Sequence, residues 1–192
     1  YWYHPHIRED YTQEMGLYGN IIVEPAEPDY WPAAHRDLVL TLDDVLLEDG
    51  KIAPFSTTET SYAAMGRYGN LLLIGGETDP TVTVRSGEVV RLWLTNTANT
   101  RGFNVRLPGA RMKLVGGDSG RVEHEQFVSE VLLAPSERAV LDVLIDQPGQ
   151  LTLQHSTPRR IYPLASITAV EERAEPSLHR QFAVLREALS NV

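Results

Sequence analysis

Between residues 37 and 172 the chain alternates apolar and polar positions with a period of two, in short runs rich in Val, Leu, Ile and Thr. Successive side chains on a strand point to opposite faces, so this alternation is what a half-buried strand requires. The runs are LVLTLDDVLL (38–47), NLLLIGG (70–76), TVTVR (81–85), EVVRLWLTN (88–96), GFNVRLP (102–108), ARMKLVG (110–116), VSEVLLAP (128–135), RAVLDVLID (138–146), GQLTLQH (149–155) and SITAVEE (166–172). Turn-forming residues separate them: Asp49-Gly50, Asp79-Pro80, Ser86-Gly87, Pro108-Gly109, Gly116-Gly117-Asp118 and Pro148-Gly149. About ten short strands punctuated in this way predict an all-β antiparallel sandwich or barrel. Ser136-Glu137-Arg138, after Pro135, is the expected crossing between sheets.

The ends break this pattern. Residues 1–24 read as a strand through YWYHPH, a polar loop, and then GLYGNIIVEP (16–25). The stretch EPAEPDYWPAAHR (24–36) carries three prolines and reads as an extended linker. Near the other end, Ser177 is placed to cap a helix running to about Ser190. Leu178, Phe182, Leu185 and Leu189 would form its apolar stripe. The expected division is therefore 1–24, a linker at 25–36, a sandwich at 37–172 and a helical connection at 173–192. Both ends read as cut, because the first strand and the last stripe need cover from elsewhere. Two stretches also echo each other, MGLYGNIIV (15–23) and MGRYGNLLL (65–73). A second parallel sets YWYHPH, a loop and GLYGNIIVEP beside GQLTLQHSTP, a loop and YPLASITAVEE, as if two related units were present, the first only as its last strands.

Composition narrows the function classes. The 192 residues include 17 Lys and Arg against 26 Asp and Glu, a net charge of −9, which argues against a nucleic-acid surface or anionic lipid as partner. No stretch approaches the roughly 20 apolar residues a membrane helix needs. Cysteine is absent, which excludes disulfides, thiolate nucleophiles, zinc–thiolate sites and iron–sulfur clusters.

The chemistry-bearing candidates are His4 and His6. On a strand, residues two apart share a face, so two neutral imidazoles there could offer lone pairs to one metal ion or to two adjacent ones. The other histidines invite plainer readings: His155 a hydrogen-bonded structural or surface role, and His35, His124 and His179 solvation. Glu9, Asp10 and Glu14, in the loop after the pair, are expected to be solvated. LVGGDSGRVE (114–123) lacks the spacing and lysine of a phosphate-binding loop and reads as a β-turn.

Around these residues the chain resembles multicopper oxidases of the laccase type. Tyr1, Trp2, Tyr3, His4 and His6, followed by Met15, Gly16, Leu17, Gly19, Val23 and Glu24, resemble the end of that family's first cupredoxin domain. LVLTLDDVLLEDG, VVRLWLTNTANTRGFNVRLPG, MKLVGGDSGRVE and VLLAPSERAVLDVLID resemble its second. The resemblance implies a cupredoxin-like Greek-key β-sandwich with a short C-terminal helix. It also implies that His4 and His6 bind copper, one type 3 copper each, within a trinuclear cluster. Tyr1, Trp2 and Tyr3 would then pack or fence the ligands, and a nearby acid could relay protons. The type 1 and type 2 sites would need segments outside this chain, since the remaining cluster histidines and the type 1 cysteine are not in it. The implied partners are first and third cupredoxin domains of the same protein, dioxygen and a small reducing substrate. A homo-oligomer stays open, and export to the periplasm or beyond is common in the family.

The implied parent is an oxidase coupling one-electron oxidation of a phenolic or metal-ion donor to reduction of dioxygen to water; the chain alone is expected to be inactive. The alternative is a non-enzymatic cupredoxin-like scaffold or interaction module. Copper nitrite reductase is a weaker third resemblance.

Overall fold

A computed structural model of the chain describes residues 1–55 and 66–187. Its elements are β1 (Trp2–Tyr3), α1 (Glu9–Glu14), β2 (Gly19–Asn20), β3 (Arg36–Val45), β4 (Leu47–Glu48), β5 (Lys51–Ile52), β6 (Leu71–Ile74), β7 (Thr81–Ser86), β8 (Glu88–Asn96), β9 (Phe103–Arg106), β10 (Arg111–Gly117), β11 (Gly120–Val128), β12 (Val131–Leu133), β13 (Arg138–Ile145), β14 (Gly149–Ser156), β15 (Ile161–Arg173) and α2 (His179–Ala183). Two sheets form the sandwich, ordered β11-β10-β13-β8-β3-β6 and β12-β9-β14-β15-β7. Leu42, Val90, Leu92, Leu94, Leu141, Val143 and Ile145 from the first meet Phe103, Val105, Leu153, Leu164 and Ile167 from the second. The cupredoxin-like sandwich is therefore as expected. It is not wholly antiparallel: β3 pairs with β8, and β7 with β15, in parallel. Parallel neighbours need crossovers, and the chain supplies them by passing from sheet to sheet. One such passage is Ser136, at φ 73°, between β12 in one sheet and β13 in the other.

Strand β11 has no apolar alternation in its sequence, GRVEHEQFV, and escaped the period-two reading. It exists because the glycine-rich stretch before it is a tight turn, which returns the chain along β10 with Gly117 opposite Gly120. The β-turn reading of that stretch holds.

The C-terminal helix is shorter than its stripe suggested. Leu178, not Ser177, stands at its N-cap, and Val184 leaves it in extended conformation (φ −79°, ψ 129°). Leu178 and Phe182 pack on Val89 and Leu144 of the larger sheet's outer face, whereas Leu185 is exposed. Leu189 and Ser190 lie outside the described residues, as does Met65 of the echoing stretch. The reason for the early stop is that β11 is an edge strand with backbone groups to satisfy. The Glu125 N–H donates to the Arg186 carbonyl (3.0 Å), and the Arg186 N–H to the Glu125 carboxylate (3.0 Å).

That covered outer face holds the first of two buried ionic networks. Arg91, on β8, donates through Nε and Nη2 to both oxygens of Asp142 (2.8 and 3.0 Å), and Nη2 also reaches the Pro32 carbonyl. Trp31 meets Trp93 edge-on with ring centroids 5.1 Å apart. The 25–36 stretch is thus anchored along the sheet. Close by, the fully buried Lys113 ammonium donates to the Val184 carbonyl (3.1 Å) and lies 3.4 Å from the Glu125 carboxylate. Two histidines expected to be solvated are instead held by hydrogen-bond partners here. The Val89 N–H donates to His35 Nδ1 (2.9 Å), which leaves the ring proton on Nε2, facing the Pro176 carbonyl (2.9 Å). His179 sits between the Ser177 hydroxyl and the Asp146 carboxylate. His124 is exposed, as expected.

Removing one partner of a buried ion pair strands the other charge without water. Asp142→Ala should therefore lower unfolding free energy by about 3–5 kcal/mol in urea titrations. The double change Arg91→Met with Asp142→Leu should recover most of that loss.

Candidate metal centre

The N-terminal strand is shorter than expected. Only Trp2 and Tyr3 pair with β2, Trp2 opposite Asn20 and Tyr3 opposite Gly19. Pro5 lacks an N–H, and His4-Pro5-His6 leaves the ladder. The two imidazoles nevertheless lie side by side, ring centroids 4.8 Å apart and planes tilted by 41°. Trp2 stacks on His4, with ring centroids 4.3 Å apart and planes at 20°. The His4 side chain is 15% exposed, while His6 is open to solvent.

The surroundings of His4 decide its tautomer. Its Nδ1 faces the Pro5 carbonyl at 3.2 Å and the Glu9 carboxylate at 3.3 Å, two acceptors. A neutral ring there carries its proton on Nδ1 and keeps the Nε2 lone pair free, the state in which a histidine ligates a metal. Imidazole nitrogen suits copper. Among the described residues, no group of three or more His, Asp or Glu could hold a metal ion. The donor type fits copper, and the donor number is two.

The segment following the pair is not a plain loop. It forms α1, with Glu9 and Asp10 in the first turn, where negative charge favours the helix dipole. Its end is a Schellman turn: the Gly16 N–H bonds the Gln13 carbonyl, the Leu17 N–H bonds the Thr12 carbonyl, and Gly16 takes φ 77°. Of the three acids expected to be solvated, Glu9 and Asp10 are exposed, but Glu14 is only 4% exposed. Glu14 Oε2 accepts from Arg67 Nε (2.9 Å) and Oε1 from the Leu46 N–H (3.0 Å).

Two more buried carboxylates, Asp43 and Asp44 of β3, complete the second ionic network. The Tyr18 hydroxyl and the Asp44 N–H donate to Asp43 (2.6 and 2.8 Å). Asp44 accepts from Arg101 Nε (2.8 Å) and from the Gly69 N–H (2.5 Å). A Cβ at position 69 would fall 2.5 Å from the Val45 nitrogen, so only glycine lets the chain run this close to β3. The echo between 15–23 and 65–73 acquires a meaning here: both turns deliver donors to the Asp43-Asp44 doublet. Burial pushes the Asp43 pKa up to about 7, with the Asp44 and Glu14 charges adding to the rise and its two hydrogen bonds opposing it. Burial likewise raises Asp44 against the pull of Arg101. Tyr18 is also pushed up, by burial and then by the Asp43 charge.

His155, 3% exposed, has the structural role expected of it. The Asn104 N–H donates to its Nδ1 (3.0 Å), and the ring packs against Phe103 and Tyr162. Burial and then the Arg101 charge lower its pKa.

Comparisons with known proteins agree on the kinship of the chain. The sequence model of the multicopper oxidase family matches residues 26–165. The chain is 27% identical over 150 residues to the multicopper oxidase mco of Staphylococcus aureus, covering 76% of this chain and 32% of that protein. It is 30% identical over 151 residues to the cell division protein FtsP of Escherichia coli, covering 76% of this chain and 31% of that one. Among solved structures, a multicopper oxidase from Pseudomonas thermotolerans superposes with a TM-score of 0.78 at 31% identity, over 91% of this chain and 41% of its own. The chain thus spans about a third of the length of these curated relatives.

The Asp43 shift has a sign that can be checked. Between about pH 4 and pH 7 the folded chain keeps a proton on Asp43 that the unfolded chain releases, so stability falls as pH rises through that window and levels off above it. The contribution is on the order of 4 kcal/mol. Asp44 and Asp142, also raised by burial, act in the same direction. Urea unfolding at pH 4.5 and 7.5 should show the drop, and Asp43→Asn should visibly shrink it.

Proposed function

This chain belongs to the multicopper oxidase family, and on that premise we propose that it is part of a longer copper-dependent oxidase in which His4 and His6 supply two imidazole ligands of the type 3 copper centre. The observation that carries the proposal is the His4 Nδ1 held by two acceptors, with Nε2 unpartnered among the described residues, beside the His6 ring at 4.8 Å. Copper held at the pair would supply the one-electron redox chemistry that dioxygen reduction needs. The chain's own residues do the holding. Glu9 and the Pro5 carbonyl orient His4, Trp2 stacks on its ring, and each of the two rings would offer one nitrogen to copper. The remaining ligands come from further cupredoxin domains of the same protein, consistent with a chain that spans about a third of its relatives. The reaction of the whole protein is one-electron oxidation of a phenolic or metal-ion donor coupled to reduction of dioxygen to water.

A second reading has its own support. It is a non-enzymatic cupredoxin-like scaffold or interaction module in which the histidine pair holds no metal, and the similarity to FtsP, a cell division protein by name, keeps a role other than oxidation in view.

Copper counting separates the two. In the full-length protein, His4→Ala or His6→Ala should deplete the type 3 centre and abolish oxygen consumption, while the blue type 1 band survives. Full copper content with full turnover in those variants would exclude the pair as ligands. The 192-residue chain should bind Cu²⁺ modestly in calorimetry, lose that binding on either substitution, and show no oxidase activity with phenolic donors.

A further inference from the structure

We propose that Glu14 is a positioning residue for His4 and His6, acting through α1 and its buried ion pair with Arg67; its link to copper rests on the ligand reading above. Six residues are too few to hold a helix by themselves, so α1 depends on tertiary anchors. Its first residue, Glu9, touches His4 Nδ1. Its last residue, Glu14, is locked on both oxygens, by Arg67 and by the Leu46 amide.

Arg67 is itself fixed. It donates to the Ala53 carbonyl (2.7 Å) and the Pro54 carbonyl (3.2 Å), and it lies 4.0 Å from the centre of the Phe55 ring. Tyr11 of α1 packs edge-on against that same ring, with centroids 5.2 Å apart. Asn99, after β8, donates to the Asp10 carbonyl (2.8 Å) and completes the grip. A continuous set of contacts therefore runs from the sandwich through Glu14 and α1 to the ring nitrogen whose proton sets the His4 tautomer. Glu9 and Asp10 stay in water on the same helix, so the burial of Glu14 is a property of its position. A carboxylate taken this far from water is retained only when paired.

The test uses the 192-residue chain with ¹⁵N-labelled histidine and no metal. In Glu14→Gln, the imidazole signals of His4 and His6 should shift and broaden while those of His155 stay in place. The Cu²⁺ dissociation constant should rise about tenfold, the scale seen when a group supporting a ligand is lost. Arg67→Lys should do the same from the other side of the pair. Ile145→Val, a core change far from α1, lowers stability without this contact and should move neither the His4 and His6 signals nor the affinity. If either substitution prevents folding, Asn99→Ala loosens α1 at lower cost and decides the matter by the same signals. Unchanged His4 and His6 signals in the folded variants, or equal changes in Ile145→Val, would overturn the proposal. His4→Ala that keeps the Cu²⁺ affinity sinks the ligand reading alone, because the metal-free imidazole spectra still judge Glu14.

Discussion

Burying the carboxylates of Glu14, Asp43 and Asp44 is the constraint on which this end of the molecule is built. Each must find donors to replace water, and an unpaired carboxylate in such a place costs several kcal/mol. The donors come from distant parts of the chain: Arg67 and the Leu46 amide for Glu14, Tyr18 for Asp43, Arg101 and the Gly69 amide for Asp44. Satisfying them draws the N-terminal segment and the stretch before β6 onto β3. The two turns that share M-G-x-Y-G-N meet there because both must bring a donor close to the same strand. Hydrophobic burial builds the sandwich, and these polar demands fix what is docked on its end.

The sandwich was legible in the sequence because alternation is the direct trace of a sheet with one wet and one dry face. The elements it missed are those whose existence depends on a neighbour. Strand β11 is held by its hairpin to β10, and α1 by Glu14 and Tyr11. The end of α2 is set by the edge of β11, which captures Arg186 in place of another helical turn. In each case the cause lies across space from the residues concerned.

The candidate site divides in the same way. The neighbouring placement of His4 and His6 followed from their spacing, although the strand that motivated it stops at Tyr3. Glu14 could not be told from Glu9 or Asp10 by residue type, since burial is decided by which side of a short helix meets the sandwich. One trace was present. The Asp43-Asp44 doublet interrupts LVLTLDDVLL, and two acids at the end of a half-buried strand need partners. His35 was misread for a related reason: a linker position looks solvated until a sheet face is found beneath it.

The two strand–loop–strand units show how the same imidazole is turned to opposite uses. In both, a strand ending near a histidine pairs antiparallel with the strand after the loop. His155 accepts the Asn104 amide at Nδ1, lies between Phe103 and Tyr162, and is driven by burial towards the neutral form. That lone pair is spent inside the fold. His4 has the reverse arrangement, with acceptors on Nδ1 and the Trp2 and His6 rings beside it, and no donor faces its Nε2 among the described residues. Which nitrogen is consumed depends on whether a backbone amide or a carboxylate faces the ring, and the carboxylate facing His4 is carried by α1. A helix of six residues, held by Glu14, Tyr11 and Asn99, thus separates a histidine whose Nδ1 accepts a backbone amide from one whose Nδ1 faces a carboxylate.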